Sequence, residues 1–335
     1  MYKSIFTALF IISYTFYGQF FCRTVAYALH TNNYEFAVEY FSKYLNTHIT
    51  EADAFNNRGI AYNNLGKYRE ALNDFKKAIE LNPKCVESYK NIGLLYDNIG
   101  HYQEALNAFD TAIDIFSTVS ELYNCRGMVL YQMEKYSESM VDFNKAIELN
   151  PQLSSAYNNR GIVFYKLNEY DRAIEDYNKA LVINPRDTSS FINLGIVYNA
   201  LENFNEALSD FSKAIENNSK NPDIFRYRAL IYANLKNNKK AILDYNKAIE
   251  LDSNNSENYI ARAFEFIVIE RYQEALADLN VALEIDPENA DAYAVRGTVY
   301  ISLKDCENAS IDFQKALELD GNLKGEIDKY SVSCR

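Results

Sequence analysis

The sequence has no tryptophan, and its 335 residues hold only 5 prolines, 11 glycines, 3 histidines and 5 cysteines. So little glycine and proline leaves no material for long loops or low-complexity linkers. The cysteines, Cys22, Cys85, Cys125, Cys306 and Cys334, are scattered, odd in number and form no CxxC. Their spacing suggests neither a zinc site nor a disulfide framework and reads as unpaired thiols. His30, His48 and His101 lie far from one another and from any cysteine at ligand spacing. P-loop, GxGxxG, HExxH and nucleophile-elbow patterns are all missing. The many Glu and Asp residues sit on amphipathic stretches with Lys close by, which is the pattern of solvated helix faces. The chain is therefore read as a non-enzyme with no catalytic residue, no metal and no cofactor. Positive charge is also scarce: 34 Lys and Arg against 46 Asp and Glu give a net charge of -12. An acidic chain repels phosphate, which argues against nucleic acid and for a basic or neutral protein segment as partner.

What the sequence does contain is a period. Gly59, Gly93, Gly127, Gly161, Gly195 and Gly297 share a 34-residue register whose two remaining slots hold Ala229 and Ala263. Twelve residues further on stand Ala71, Ala105, Ser139, Ala173, Ala207, Ala241, Ala275 and Ala309. Small residues at both places let two helix backbones approach closely. Large residues surround them, four before the glycine slot (Phe55, Tyr89, Tyr123 and their equivalents), three after it, and 16 after it (Phe75, Phe109, Phe143, Tyr177). Offsets of three and four residues make apolar stripes on two successive helices. Polar breaks such as Leu65-Gly66-Lys67 separate the two, where glycine suits a helix end. Pro83, Pro151, Pro185 and Pro287 fall at one inter-repeat turn and Pro222 opens a repeat, as expected of a residue that removes a donor and clashes backwards in a helix.

This small/large signature over a helix–turn–helix unit resembles the tetratricopeptide repeat (TPR) family, with Tyr157-Asn158-Asn159-Arg160-Gly161 through Pro185 similar to a near-consensus copy. The resemblance covers eight units, 52–85, 86–119, 120–153, 154–187, 188–221, 222–255, 256–289 and 290–323. Residues 29–51 read as a degenerate half repeat, with Ala37 and Phe41 in register with Ala71 and Phe75. Residues 324–335 read as a C-terminal cap or tail, and Leu323, at the end of the last repeat, is expected to form a short closing turn with Ile327 and Tyr330. Asn238 and Cys306 replace the usual aromatic at the start of the second helix, which predicts looser packing in the sixth and eighth repeats. The implied fold is all-α, a right-handed superhelical solenoid of tandem repeats whose inner groove is lined by first helices.

Six repeats carry an arginine just before the glycine slot and an aspartate 16 residues later. The pairs are Arg58 and Asp74, Arg126 and Asp142, Arg160 and Asp176, Arg228 and Asp244, Arg262 and Asp278, and Arg296 and Asp312. The second repeat loses both partners (Ile92, Ala108), while the fifth has Leu194 but keeps Asp210. One reading makes the arginines a basic stripe for anionic ligands. The other makes each pair a link between the two helices of a repeat, fixing register more than stability.

The resemblance implies that the groove faces positions two before the glycine slot, where Asn57, Asn91, Asn159 and Asn193 form an amide ladder and Tyr227 occupies the sixth unit. Asn56, Asn124 and Asn158 add amides one residue earlier. An amide offers donor and acceptor, so it can pair with the backbone of an extended peptide of any sequence. The set resembles the asparagine ladder of TPR proteins that hold peptides in this way; asparagine is also common there without a ligand. Acids six before the slot, such as Glu87, Glu257 and Asp291, read either as a rim favouring basic ligands or as complements to helix dipoles. The two-carboxylate clamp of chaperone-tail-binding relatives is missing, because Leu94 and Asn159 stand where it needs Asn and Arg beside Lys90. The last repeats present Ile260, Phe264, Ile267, Ala261 and Val295, read as an apolar docking surface or as packing for the C-terminal segment.

Residues 5–22 carry no charge and follow Lys3. Within the segment 1–28 they read as a secretory signal or an uncleaved membrane anchor, or alternatively as a capping helix of a cytoplasmic protein. Taken together, the sequence points to a non-enzymatic protein–protein interaction scaffold that binds a peptide or partner helix in the groove. The alternatives are a membrane-anchored or exported assembly factor and a regulatory module of an enzyme complex. Oligomeric state is not encoded.

Overall fold

A computed structural model describes residues 33–217 and 220–331, with side chains up to Lys329. Among the described residues there are α-helices and one 3₁₀ turn, and no strand. A helix α1 (Tyr34–Leu45) precedes pairs α2 (Ala52–Asn64) and α3 (Tyr68–Leu81), α4 (Val86–Asn98) and α5 (Tyr102–Ile115), and α6 (Ser120–Gln132) and α7 (Tyr136–Leu149). Next come α8 (Ser154–Lys166) and α9 (Tyr170–Ile183), α10 (Thr188–Ala200) and α11 (Phe204–Glu216), and α12 (Pro222–Asn234) and α13 (Asn238–Leu251). The last described elements are α14 (Ser256–Val268) and α15 (Tyr272–Ile285), α16 (Ala290–Ser302) and α17 (Cys306–Leu319), the 3₁₀ turn Gly321–Leu323 and α18 (Lys324–Ser331). Two compact units divide within α8, between Val163 and Phe164.

In the first unit, α2 packs on α3, α4 on α5 and α6 on α7, and α3 also touches α4 as α5 touches α6. Phe41, Phe75, Phe109 and Phe143 are fully buried along its core. The glycine slot holds the ring of the next helix more than it brings two backbones together. A Cβ on Gly59, Gly93 or Gly127 would stand 2.6, 2.6 and 2.8 Å from Phe75, Phe109 and Phe143, inside any real contact distance. Backbone approach is decided one turn along, where the Ser139 hydroxyl donates to the Gly127 carbonyl at 2.7 Å.

The second unit repeats this scheme with α10 on α11, α12 on α13, α14 on α15 and α16 on α17. Gly195 and Gly297 lie 2.6 and 2.5 Å, by the same Cβ measure, from Phe211 and Phe313. Two slots of this unit hold alanine: Ala263 packs against Leu279, where no aromatic stands, and Ala229 packs against the ring of Tyr245, all of them buried. The C-terminal α18 closes this unit, with Ile327 buried on Ala309, Phe313 and Ala316 and Leu323 packed beside it.

Each first helix ends in a residue at positive φ, after which the next N–H returns to a carbonyl five residues back, as in Lys67 to Tyr62 and Asn237 to Tyr232. This closure satisfies carbonyls that the helix end would otherwise orphan. Gly66 and Gly100 adopt it without strain, whereas Glu134, Asn168, Glu202, Lys236, Glu270 and Lys304 hold φ between 57° and 63°. A non-glycine residue there costs about 1 kcal/mol, so the packing of each pair outweighs its turn. Asx side chains shape the turns between repeats: Asn82, Asn150, Asn184, Asp252, Asp286 and Asp320 each accept from the backbone N–H two residues on.

Cys85 and Cys125 are free thiols, but Cys306 is disulfide-bonded, which corrects the reading of all five cysteines as unpaired. The scattered spacing gave no sign of it, because pairing depends on tertiary proximity. The anchor or signal reading of residues 5–22 also lies outside the described residues. Among those described, no helix is long and apolar enough to cross a membrane.

The glycine-slot geometry yields a test. Gly195→Ala forces a methyl into the Phe211 ring and is expected to destabilise by about 1–3 kcal/mol. Adding Phe211→Leu, which copies the Ala263–Leu279 arrangement, is expected to recover part of that loss in a urea-melt double-mutant cycle.

Candidate functional site

The exposed parts of the first helices carry the candidate site, and the amides on them are wired rather than loose. In the first unit, Asn56 is buried, and its Oδ1 accepts from Ser88 Oγ and from Asn91 Nδ2, both at 3.0 Å. Asn124 Oδ1 accepts from Asn159 Nδ2 at 3.0 Å in the same way. The amides three before the slot thus spend their acceptors inside the protein and orient the amide two before the slot on the next first helix. Asn91 keeps its Oδ1 and a second N–H, and half-buried Asn57 has no side-chain hydrogen bond among the described residues. Asn158 is buried, with Nδ2 3.4 Å from Asn159 Oδ1. The ladder is interrupted at Cys125, whose thiol burial pushes up to about 11, leaving it a neutral apolar group at physiological pH.

In the second unit Asn193 is half-buried on α10. Tyr227 stacks on Phe211 at 6.0 Å with the Arg226 guanidinium 5.1 Å from its own ring, so it is partly a packing residue. Ile260, Ile267 and Val295 pack against the Ala263–Phe266–Leu279 cluster while Phe264 stays 48% exposed. Leu323 and Ile327 line one cleft with Ile260, Phe264 and Val295, so the apolar surface is shared between core, C-terminal segment and solvent.

The arginines are consumed internally. Arg58, Arg126, Arg228, Arg262 and Arg296 each donate Nε and Nη2 to both oxygens of Asp74, Asp142, Asp244, Asp278 and Asp312 at 2.6–2.8 Å. The third arm reaches back 16 residues to the preceding second helix, where Nη1 finds Ser42, Asp110, Ser212, Asn246 or Asn280. Arg160 Nη1 likewise donates to Asn144 at 2.6 Å, and Asp176 is buried. An aromatic ring one turn earlier lies under each guanidinium, as with Tyr293 and Arg296 at 5.4 Å. Each of the five arginines therefore ties three helices together and leaves no fork for an anionic ligand. Where Leu194 removes the arginine, Lys213 pairs with the orphaned Asp210 at 2.9 Å.

One titratable group stands apart. Glu265 sits where the other repeats bury Ala61, Leu95, Val129 or Val299, and it is only 6% exposed. Asn238, which replaces the usual aromatic, donates Nδ2 to Glu265 Oε2 at 2.8 Å. The predicted loose spot of the sixth repeat is thus a polar contact across to the seventh. Burial raises the Glu265 carboxyl above the ordinary range, only partly offset by the Asn238 amide, and the neighbouring Tyr245 is pushed up to about 12. Among the described residues no group of three His, Cys, Asp or Glu could hold a metal ion.

Two outcomes follow from these contacts. Arg262→Leu leaves Asp278 buried without its cation and is expected to cost about 3–5 kcal/mol, whereas Arg262→Leu with Asp278→Leu is expected to be near neutral; urea melts of both variants check it. For Glu265 the folded pKa is raised, so the folded state binds the proton more tightly than the unfolded chain. Its contribution to stability is fully present below the unfolded value and is lost as pH rises through the folded one. The stability of wild type relative to Glu265→Val is accordingly expected to fall as pH is raised from about 4 toward neutrality, read from paired melts across that range.

Family profiles described as tetratricopeptide repeat match residues 52–85, 154–187, 192–256, 75–107 and 290–323, and one described as TPR repeat matches 127–168, together more than half of the chain. No curated protein matches the sequence. Among solved structures, YrrB, "a TPR protein with an unusual peptide-binding site", is 28% identical at a TM-score of 0.50, covering 56% of this chain and 97% of that one. The APC/C hetero-tetramer Cut9-Hcn1 superposes at a TM-score of 0.60 with 17% identity, covering 88% of this chain and 58% of that one. Pseudomonas aeruginosa pilF does so at 0.57 with 19% identity, covering 64% and 97%. The helix pairs and these matches agree: the chain belongs to the tetratricopeptide repeat family, whose repeats form protein–protein interaction scaffolds.

Proposed function

We propose that the chain holds an extended peptide of a partner protein against its first helices, using the amides two before the glycine slot. The observation that carries this is the bond of Asn91 to Asn56 and of Asn159 to Asn124, each at 3.0 Å. A side-chain amide held by a buried neighbour is pre-oriented, so little rotamer freedom remains to be lost when a peptide binds. In Asn91 the remaining carbonyl and N–H match a peptide backbone group, which is recognition of main chain independent of sequence. YrrB, similar over 56% of this chain, has a peptide-binding site by its own description, which supports the same use of the fold here. No catalytic step is assigned to the chain.

The combined variant Asn57→Ala, Asn91→Ala, Asn159→Ala, Asn193→Ala tests the reading. Capture of partner protein from cells that express the chain is expected to drop by about tenfold, with helicity by circular dichroism unchanged. Capture equal to wild type removes the amides from the binding role.

A further inference from the structure

The second unit ends in a cleft whose chemistry differs from the amide faces. Helices α14, α16 and α18 and the 3₁₀ turn enclose about 430 Å³, with Ile260, Ala261, Phe264, Val295 and Leu323 among its walls. Phe264 stands one residue after the small-residue slot, a position where no other repeat has an aromatic, and it is 48% exposed. A large exposed ring beside a half-buried aliphatic floor is the usual form of a protein-docking anchor site. Three carboxylates complete the lining, Glu257, Asp291 and Glu326, all exposed, and no lysine or arginine joins them. The Arg226 guanidinium reaches Glu257 at 3.6 Å, but Asp291 and Glu326 have no ion pair among the described residues.

We propose that this cleft docks a cationic segment of a partner protein. An aromatic or branched aliphatic side chain of that segment sits on Phe264, Ile260 and Val295, while flanking lysines or arginines face Glu257, Asp291 and Glu326. The charge argument selects this occupant over others. A second copy of the chain would bring another net charge of -12, and residues 1–32 carry only Lys3 and Arg23, too far apart to flank one anchor. The proposal rests on the scaffold reading of the family but not on the amides, since none of the four asparagines lines the cleft.

The probe is a fluorescein-labelled peptide Lys-Lys-Phe-Leu-Lys-Lys, read by anisotropy against the full chain. Two comparison peptides replace either its lysines by glutamate or its Phe-Leu by Ser-Ser. Saturable binding of the first peptide alone is expected. Phe264→Ser, and separately Asp291→Lys with Glu326→Lys, are expected to weaken it by about tenfold, with melting curves like wild type because all three positions are exposed. Asp171→Lys with Glu175→Lys, an equal charge change on the exposed face of α9, and the four-asparagine variant are both expected to bind as wild type does. Binding of the Ser-Ser peptide as tight as that of the first, an equal effect of the α9 charge change, or no binding at all overturns the proposal. Loss in the asparagine variant alone would assign the peptide to the amide face and overturns it as well.

Discussion

A phenyl or phenol ring lying on the backbone of a facing helix is the contact on which everything else in this protein depends. The ring 16 residues after Gly59, Gly93, Gly127, Gly195 and Gly297 occupies the volume a Cβ would need, down to 2.5 Å at Gly297 and Phe313. Shape, more than hydrophobicity alone, therefore fixes how deeply two helices close and which face of each is left outward. Once that phase is set, positions two and three before the glycine must lie beside those of the next first helix. The amide contacts are a consequence. Two slots carry a methyl instead of a glycine, Ala263 opposite Leu279 and Ala229 opposite the ring of Tyr245, and all four side chains are buried.

Packing of apolar stripes is tolerant of slippage, and the arginines remove that tolerance. A bidentate fork on a buried carboxylate has one good geometry, and its third arm extends the constraint to the preceding repeat. Such pairs add little net stability, since the cost of removing two charges from water offsets their attraction. Their effect is to make one register far better than its neighbours. Where Ile92 replaces the arginine, the preceding helix carries Lys76 in place of a third-arm acceptor, whereas Asn178, an acceptor type used by other repeats, still precedes Leu194.

Departures from the register gather in the second unit. Glu265 brings a carboxyl into an apolar position, Asn238 gives up an aromatic to meet it, and Phe264 exposes a ring beside unpaired acids. Residues that break a local rule without helping the pair they belong to are where function-specific features are expected in a repeat protein. The polar contact between α13 and α14 and the cleft beyond it give that unit a chemistry the first unit does not share.

The sequence by itself determined the period, the helix pairs and the placement of small against large side chains, because these follow from residue size at fixed spacing along one chain. It also made visible that arginine and aspartate recur 16 residues apart. Only the tertiary structure decided where each remaining hydrogen bond goes. Asn56 and Asn57 are adjacent and chemically identical, yet one is buried under Ser88 and Asn91 and the other is only half-buried, because a helix turns by 100° between them. Glu265 reads as a surface acid until Asn238, 27 residues away, is placed against it. The disulfide at Cys306 and the third arm of each arginine have the same origin. A side chain's partner is set by the element packed across from it, and no local pattern states which element that is.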